Sequence, residues 1–325
     1  MRLGFKSLAC GLRACLMIAG MLAVTGCAGT AARLPGFADD DDLRAFLRDE
    51  GAYEPTDGAD VGDVPPPLPP PPSPSPSSPA GPDLADTIVM TASRAGGDAS
   101  ITNNQVAGVD EGGIVKVSGD YLVVLRRGRL FTVSTAGGAL TPVDRIDVIP
   151  PGMETSDAWY DEMLIHGRTI VVLGYSYEMD ATELSRFALS ADGRLSHVDT
   201  HHLRSDDYYS ARNYATRIVG DTLILYTPLD TCCSRDDPLD VLPGLSRWQP
   251  GQSEPVFTRL AGARDVHVPE ALKAQGLGWV DTLHSVTRCD LSAAELDCRS
   301  SVVLGPQGRN FHVAQDAVFV WVAPR

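Results

Sequence analysis

The chain has 325 residues, with 27 Lys and Arg against 42 Asp and Glu, a net charge of −15 at neutral pH. A field of that sign repels phosphates, which disfavours nucleic acid and anionic membrane surfaces as partners, so no nucleic-acid partner is expected. The length allows one large all-β domain or two smaller ones.

Arg2, Lys6 and Arg13 precede an apolar run at residues 16–24, which ends in Thr25, Gly26 and Cys27. The run is too short to span a bilayer as a helix and reads as a secretory signal over residues 1–26. Val24-Thr25-Gly26-Cys27 resembles a bacterial lipobox, which implies that Cys27 is acylated and becomes the first mature residue. Ala28, where Asp would favour inner-membrane retention, implies an outer-membrane destination. Removal of the signal leaves 24 basic residues against 42 acidic ones, a net charge of −18.

Residues 27–100 have the composition of a disordered tether. Asp39 to Asp42 form an acidic run, residues 43–47 offer one weak helical turn, and residues 65–82 contain eleven prolines. Proline removes amide donors and favours an extended path, so this stretch cannot pack a core. At roughly 3.1 Å per residue it reaches about 55 Å, the length of a stalk.

From residue 101 the pattern becomes that of β-strands, and one nine-residue template returns. It reads VSGDYLVVL at 117–125, IHGRTIVVL at 165–173, IVGDTLILY at 218–226 and VAQDAVFVW at 313–321. Each copy turns through Gly or a substitute, then enters an apolar run rich in β-branched residues. Strands at 140–148 and 195–203, with Gly137-Gly138 and Asp192-Gly193 before them, supply further hairpins. The copies start 48, 53 and 95 residues apart, a period that predicts an all-β fold, the β-propeller, over 101–325. A β-sandwich also has short strands and frequent turns, but the fixed recurrence favours the propeller. About three to four blades are present, so the array reads as incomplete: truncated, or closed by a partner subunit. Residues 228–278 read as an insertion.

Cys10 and Cys15 leave with the signal and Cys27 is taken by lipid, so Cys232, Cys233, Cys289 and Cys298 remain. Export permits disulfides, and Cys289 with Cys298 flank a short connection between two strand-like runs, which predicts a bridge there. Four cysteines allow three pairings, and spacing alone does not choose among them.

The run TNNQVAGVDE at 102–111, with Asn103, Val109, Asp110 and Glu111, followed by Ile114-Val115-Lys116, resembles the opening signature of a secreted family. That family comprises bacterial and archaeal proteins described as having a C-terminal β-propeller domain. Segments 209–226 and 310–321 resemble later parts of it. Gly112-Gly113 departs from the bulkier pair usual there. The resemblance implies fold and export, and brings no catalytic residues with it.

His201-His202 with Asp206-Asp207 is the nearest approach to a metal cluster. Neighbours on a strand point to opposite faces, so at most one histidine joins a given site. The pattern is read as a solvated strand end. Asp110-Glu111 could hold calcium or act as an acid–base pair, but carboxylates in a Gly-rich turn more often accept backbone amides. No cofactor is expected, calcium being the lesser alternative. The catalytic elbow, zinc-helix, phosphate-loop and EF-hand motifs are absent. The sequence therefore predicts a lipid-anchored propeller at the cell envelope, a binding or assembly scaffold for a protein or polymer partner. The rival expectation is a propeller hydrolase or lyase acting on extracellular polymers.

Overall fold

The computed structural model describes residues 2–4, 36–50, 106, 108–153, 158–205, 216–231, 237–252, 254–269, 280, 282–308 and 310–321. Cys27, Asn103, Asp206, Asp207, Cys232, Cys233 and the Pro-rich stretch lie outside these residues. Two short pieces precede the sheets, a strand β1 (Arg2–Gly4) and a helix α1 (Asp40–Glu50). No helix among the described residues is long and apolar enough to cross a membrane.

Each copy of the template forms an antiparallel hairpin. After a two-residue strand β2 (Asp110–Glu111), the first unit contains β3 (Val115–Ser118), β4 (Tyr121–Arg126), β5 (Arg129–Ser134) and β6 (Thr141–Asp147), paired in that order. The second contains β7 (Ala158–His166), β8 (Thr169–Ser176), β9 (Ala181–Leu189) and β10 (Leu195–Leu203). In the third, β11 (Thr216–Val219) and β12 (Thr222–Asp230) precede the insertion, which holds β13 (Gly244–Arg247), β14 (Thr258–Arg259) and β15 (Val266–His267). Its last strands are β16 (Thr282–Asp290) and β17 (Asp297–Gly305). The fourth begins with β18 (Asn310–Val313) and β19 (Ala317–Trp321), and β1 pairs with β19. The template turns need left-handed backbone, and Gly119, Gly167 and Gly220 supply it at φ 56°, 57° and 57°.

The long third spacing is explained by the insertion. It adds β13 and β14 to the outer edge of the second unit, and β15 pairs parallel with β17 on the outer edge of the third.

Packing between units follows from burial. β8 and β9 are buried along almost their whole length, because the first unit covers one face of the second and the third covers the other. Strands covered on both sides read as continuous apolar runs, and TIVVLGYS does so. β6, on the outside of the first unit, is mostly exposed and carries Pro142 at a register shift, a position an edge strand tolerates.

Residues 36–50 correct the reading of an unpacked tether over that part of the chain. Asp39 Oδ1 accepts the amides of Asp41 and Asp42, capping α1, and three acidic residues occupy its first turn, where the helix dipole favours them. Leu43 and Leu47 lie one turn apart and enter a core made by the insertion and the third unit, including Leu239, Leu242, Val266 and Leu304. The expected single weak turn is an eleven-residue docked helix.

Candidate functional site

The signature segment runs through the middle of the array. Gly108 sits against Gln315 in the turn of the fourth unit. Val109 is buried among Ile224, Tyr226, Val313 and Val320, between the third and fourth units. β2 pairs with β11, Asp110 opposite Ile218 and Glu111 opposite Arg217. Gly113 exchanges two backbone hydrogen bonds with Met163 of β7, at 3.1 and 3.0 Å. Val115 then opens the first unit. Within eight residues the chain touches all four units in reverse order, like a spindle.

Charged groups converge on this spindle. Lys116 is 1 % exposed, and its Nζ donates to Asp110 Oδ1 at 2.9 Å and to the Glu111 carbonyl. Arg217 Nε lies 3.6 Å from Glu111 Oε1, and the Arg217 guanidinium stands over the Phe311 ring. Glu162, also 1 % exposed, accepts from Thr216 Oγ1 at 3.1 Å, and its carboxylate lies directly on Gly112. A Cβ at position 112 would overlap that side chain, so the packing here requires glycine. Asp110, Glu111, Lys116 and Glu162 come from two units and the spindle, and each is held by a partner.

A second polar cluster joins the second and third units. The Arg186 guanidinium forks onto Asp199 at 2.7 and 2.6 Å, both residues buried. It also donates across the interface to the carbonyls of Ala293 and Ala294, in the turn between β16 and β17. Cys289 and Cys298, opposite each other on those strands, are joined in a disulfide at the base of that turn. Burial works to raise the Asp199 carboxyl, but the Arg186 fork outweighs it and holds the group below the usual carboxylate range. Neither Arg186 nor Asp199 stood out in the sequence. The available signal was a pair of opposite charges on two strands that otherwise read as interior.

The histidines are a correction. His201 is 5 % exposed and His202 is 1 % exposed, so β10 has no solvated end at this point. The insertion is the cause: β13 pairs along the outer edge of β10, His201 opposite Arg247 and His202 opposite Ser246. As the alternation of a strand requires, the two rings face different carboxylates, His201 Nδ1 at 3.7 Å from Asp199 and His202 Nε2 at 3.6 Å from Glu183. Burial pushes the His201 imidazole down to about 4, against the opposing pull of Asp199. Among the described residues no three His, Cys, Asp or Glu side chains are grouped to hold a metal ion.

A family model for the Beta propeller domain matches residues 99–322. The chain belongs to this family. No curated protein matches the chain at a significant level. The units are therefore propeller blades, the template is the innermost hairpin of each blade, and the spindle occupies the propeller axis. A cleft of ≈ 290 Å³ lies between blade 3 and the blade 4 hairpin, lined by Thr222, Arg288, Ser301, Gln315 and Asp316 among others. The basic turn at Arg126, Arg127 and Arg129 is exposed at the opposite end of blade 1 from Gly119, and Arg129 pairs with Asp147 at 2.6 Å.

Proposed function

We propose that the chain is an exported propeller, lipid-anchored through Cys27 to the cell envelope, that binds a protein or polymer partner and makes no bonds. One observation supports the scaffold reading above the rest. The titratable groups that converge on the axis are held in mutual pairs and by packing: Lys116 on Asp110, Arg217 near Glu111, Glu162 on Gly112 and Thr216. A general acid or base must reach a reacting atom and change protonation in turn. Lys116 and Glu162, fully buried, and the half-buried Asp110, Glu111 and Arg217 paired with their neighbours act as struts between the blades. The anchor rests on the lipobox-like sequence, and the outer-membrane destination on Ala28.

The enzyme reading draws on the same convergence, since a carboxylate and a lysine at an axis are a familiar acid–base set. Full-length chain incubated with envelope polymers separates the two. Retention of a partner with no new chain ends is the scaffold result. Polymer cleavage that Glu162→Gln abolishes, with the unfolding midpoint unchanged, overturns it.

A further inference from the structure

We propose that residues 36–50 form a clasp that sets the height of the propeller above the membrane. The spacer between lipid and domain is then residues 28–35, and the Pro-rich segment plays no part in it. This rests on the lipid anchor at Cys27 proposed above.

The clasp is fastened from Gly36 to Leu47. Gly36 bridges His267, and its Cα approaches the Arg264 backbone so closely that a Cβ would overlap it. The Phe37 amide donates to the Ala263 carbonyl at 3.2 Å, and Phe37 packs edge-on against Phe46. Leu43 is 0 % exposed. Arg44 forks onto Asp237 at 3.0 and 3.1 Å, and Arg259 reaches Asp40 at 3.1 Å. These contacts bind the clasp to residues 237–242, 259 and 263–267 of the insertion, on the outer edge of blades 2 and 3.

The consequence is topological. The chain is tied to the domain at Leu47 and again at Val109, so everything between begins and ends on the propeller. A segment tied at both ends cannot separate its domain from a third point. The reach from Cys27 to Gly36 is nine residue steps, about 30 Å at full extension. The Pro-rich residues alone would add about 55 Å if they served as a stalk. The clasped propeller therefore sits close to the bilayer with the outer edge of blades 2 and 3 toward it, and its partner must be reachable in that narrow layer.

Two measurements test this. The first is hydrogen exchange on a soluble chain starting at Ala28, which needs no lipid. The α1 amides should be protected. Leu43→Asp with Leu47→Asp should abolish that protection while β8 and β12 keep theirs. Arg44→Asp should weaken it, and Arg44→Asp combined with Asp237→Arg should recover it. Unprotected α1 amides in the unsubstituted chain overturn the clasp, whatever the anchor does.

The second is the height of the protein layer above a supported bilayer, measured by neutron reflectometry on the lipidated chain. Deleting residues 65–82 should leave the height unchanged, and the Leu43→Asp, Leu47→Asp chain should rise by tens of ångströms. A layer that moves toward the bilayer when 65–82 is deleted overturns the proposal. A chain that never enters the bilayer, with α1 protected, removes the anchor and the spacer role with it, and leaves α1 as a docked helix alone.

Discussion

Gly112→Ala is the sharpest test of the spindle. The added Cβ would overlap Oε1, Cγ and Cδ of Glu162, so that side chain must withdraw by more than an ångström to reach ordinary contact at about 3.5 Å. Withdrawal breaks the hydrogen bond from Thr216 Oγ1, at 3.1 Å, to a carboxylate that has no exposed direction to move in. Losing a hydrogen bond to a charged group costs about 1.5–3 kcal/mol. Overpacking adds about 1–3 kcal/mol. Alanine stiffens the unfolded chain and returns about 0.4–1 kcal/mol. The net expectation is a loss of about 1.5–5.5 kcal/mol, read as a lower midpoint in urea unfolding of the soluble chain. Because one side chain carries the cost, Gly112→Ala in a Glu162→Ala background should add less than about 0.5 kcal/mol. If the two losses simply add, or if Gly112→Ala alone is neutral, the carboxylate does not pack on the spindle and the reasoning fails.

Three further outcomes follow from the blade 2–blade 3 interface. Arg186→Met leaves Asp199 buried without its fork and should cost about 3–5 kcal/mol in the same assay, much of it recovered by Arg186→Met with Asp199→Leu. His201 is neutral when folded and takes a proton when unfolded between its ordinary value and about 4. The unfolded state then binds more protons, so stability falls as pH drops from about 6.5 toward 4, by up to about 3 kcal/mol. Thermal melts of His201→Gln across that range should show a flatter limb. Below it, the depressed Asp199 carboxyl contributes a further loss as pH falls through its folded value. Reducing Cys289–Cys298 opens a short loop and should cost about 2–3 kcal/mol, with faster exchange in residues 291–296, where Arg186 caps the carbonyls of Ala293 and Ala294.

The parts of the fold legible in the sequence are those fixed by local chemistry. Gly119, Gly167 and Gly220 mark the template turns because each needs left-handed backbone, and the apolar runs after them are the second strands of the blades. The parts that escaped depend on partners far along the chain. Asp39, Leu43, Phe46 and Leu47 carry a cap and an apolar stripe, yet eleven residues make a marginal helix in water. What holds α1 is a surface built from residues 237–242 and 261–268. His201 and His202 looked solvated because the strand that covers them arrives over forty residues later. Arg186 and Asp199 face each other only after a register shift between His197 and Asp199, which no count of alternating positions reveals. The signature segment was visible as a motif, and its role as an axial spindle needed the pairing of Glu111 with Arg217 and of Gly113 with Met163.

The most direct measurement of the central claim is the intact mass of the protein extracted from its native membrane, before and after removal of ester-linked lipid. An anchored scaffold predicts a chain beginning at Cys27 and carrying acyl groups that Cys27→Ser eliminates along with membrane retention. An unacylated chain, or one that still begins at Met1 with β1 paired to β19, would contradict it.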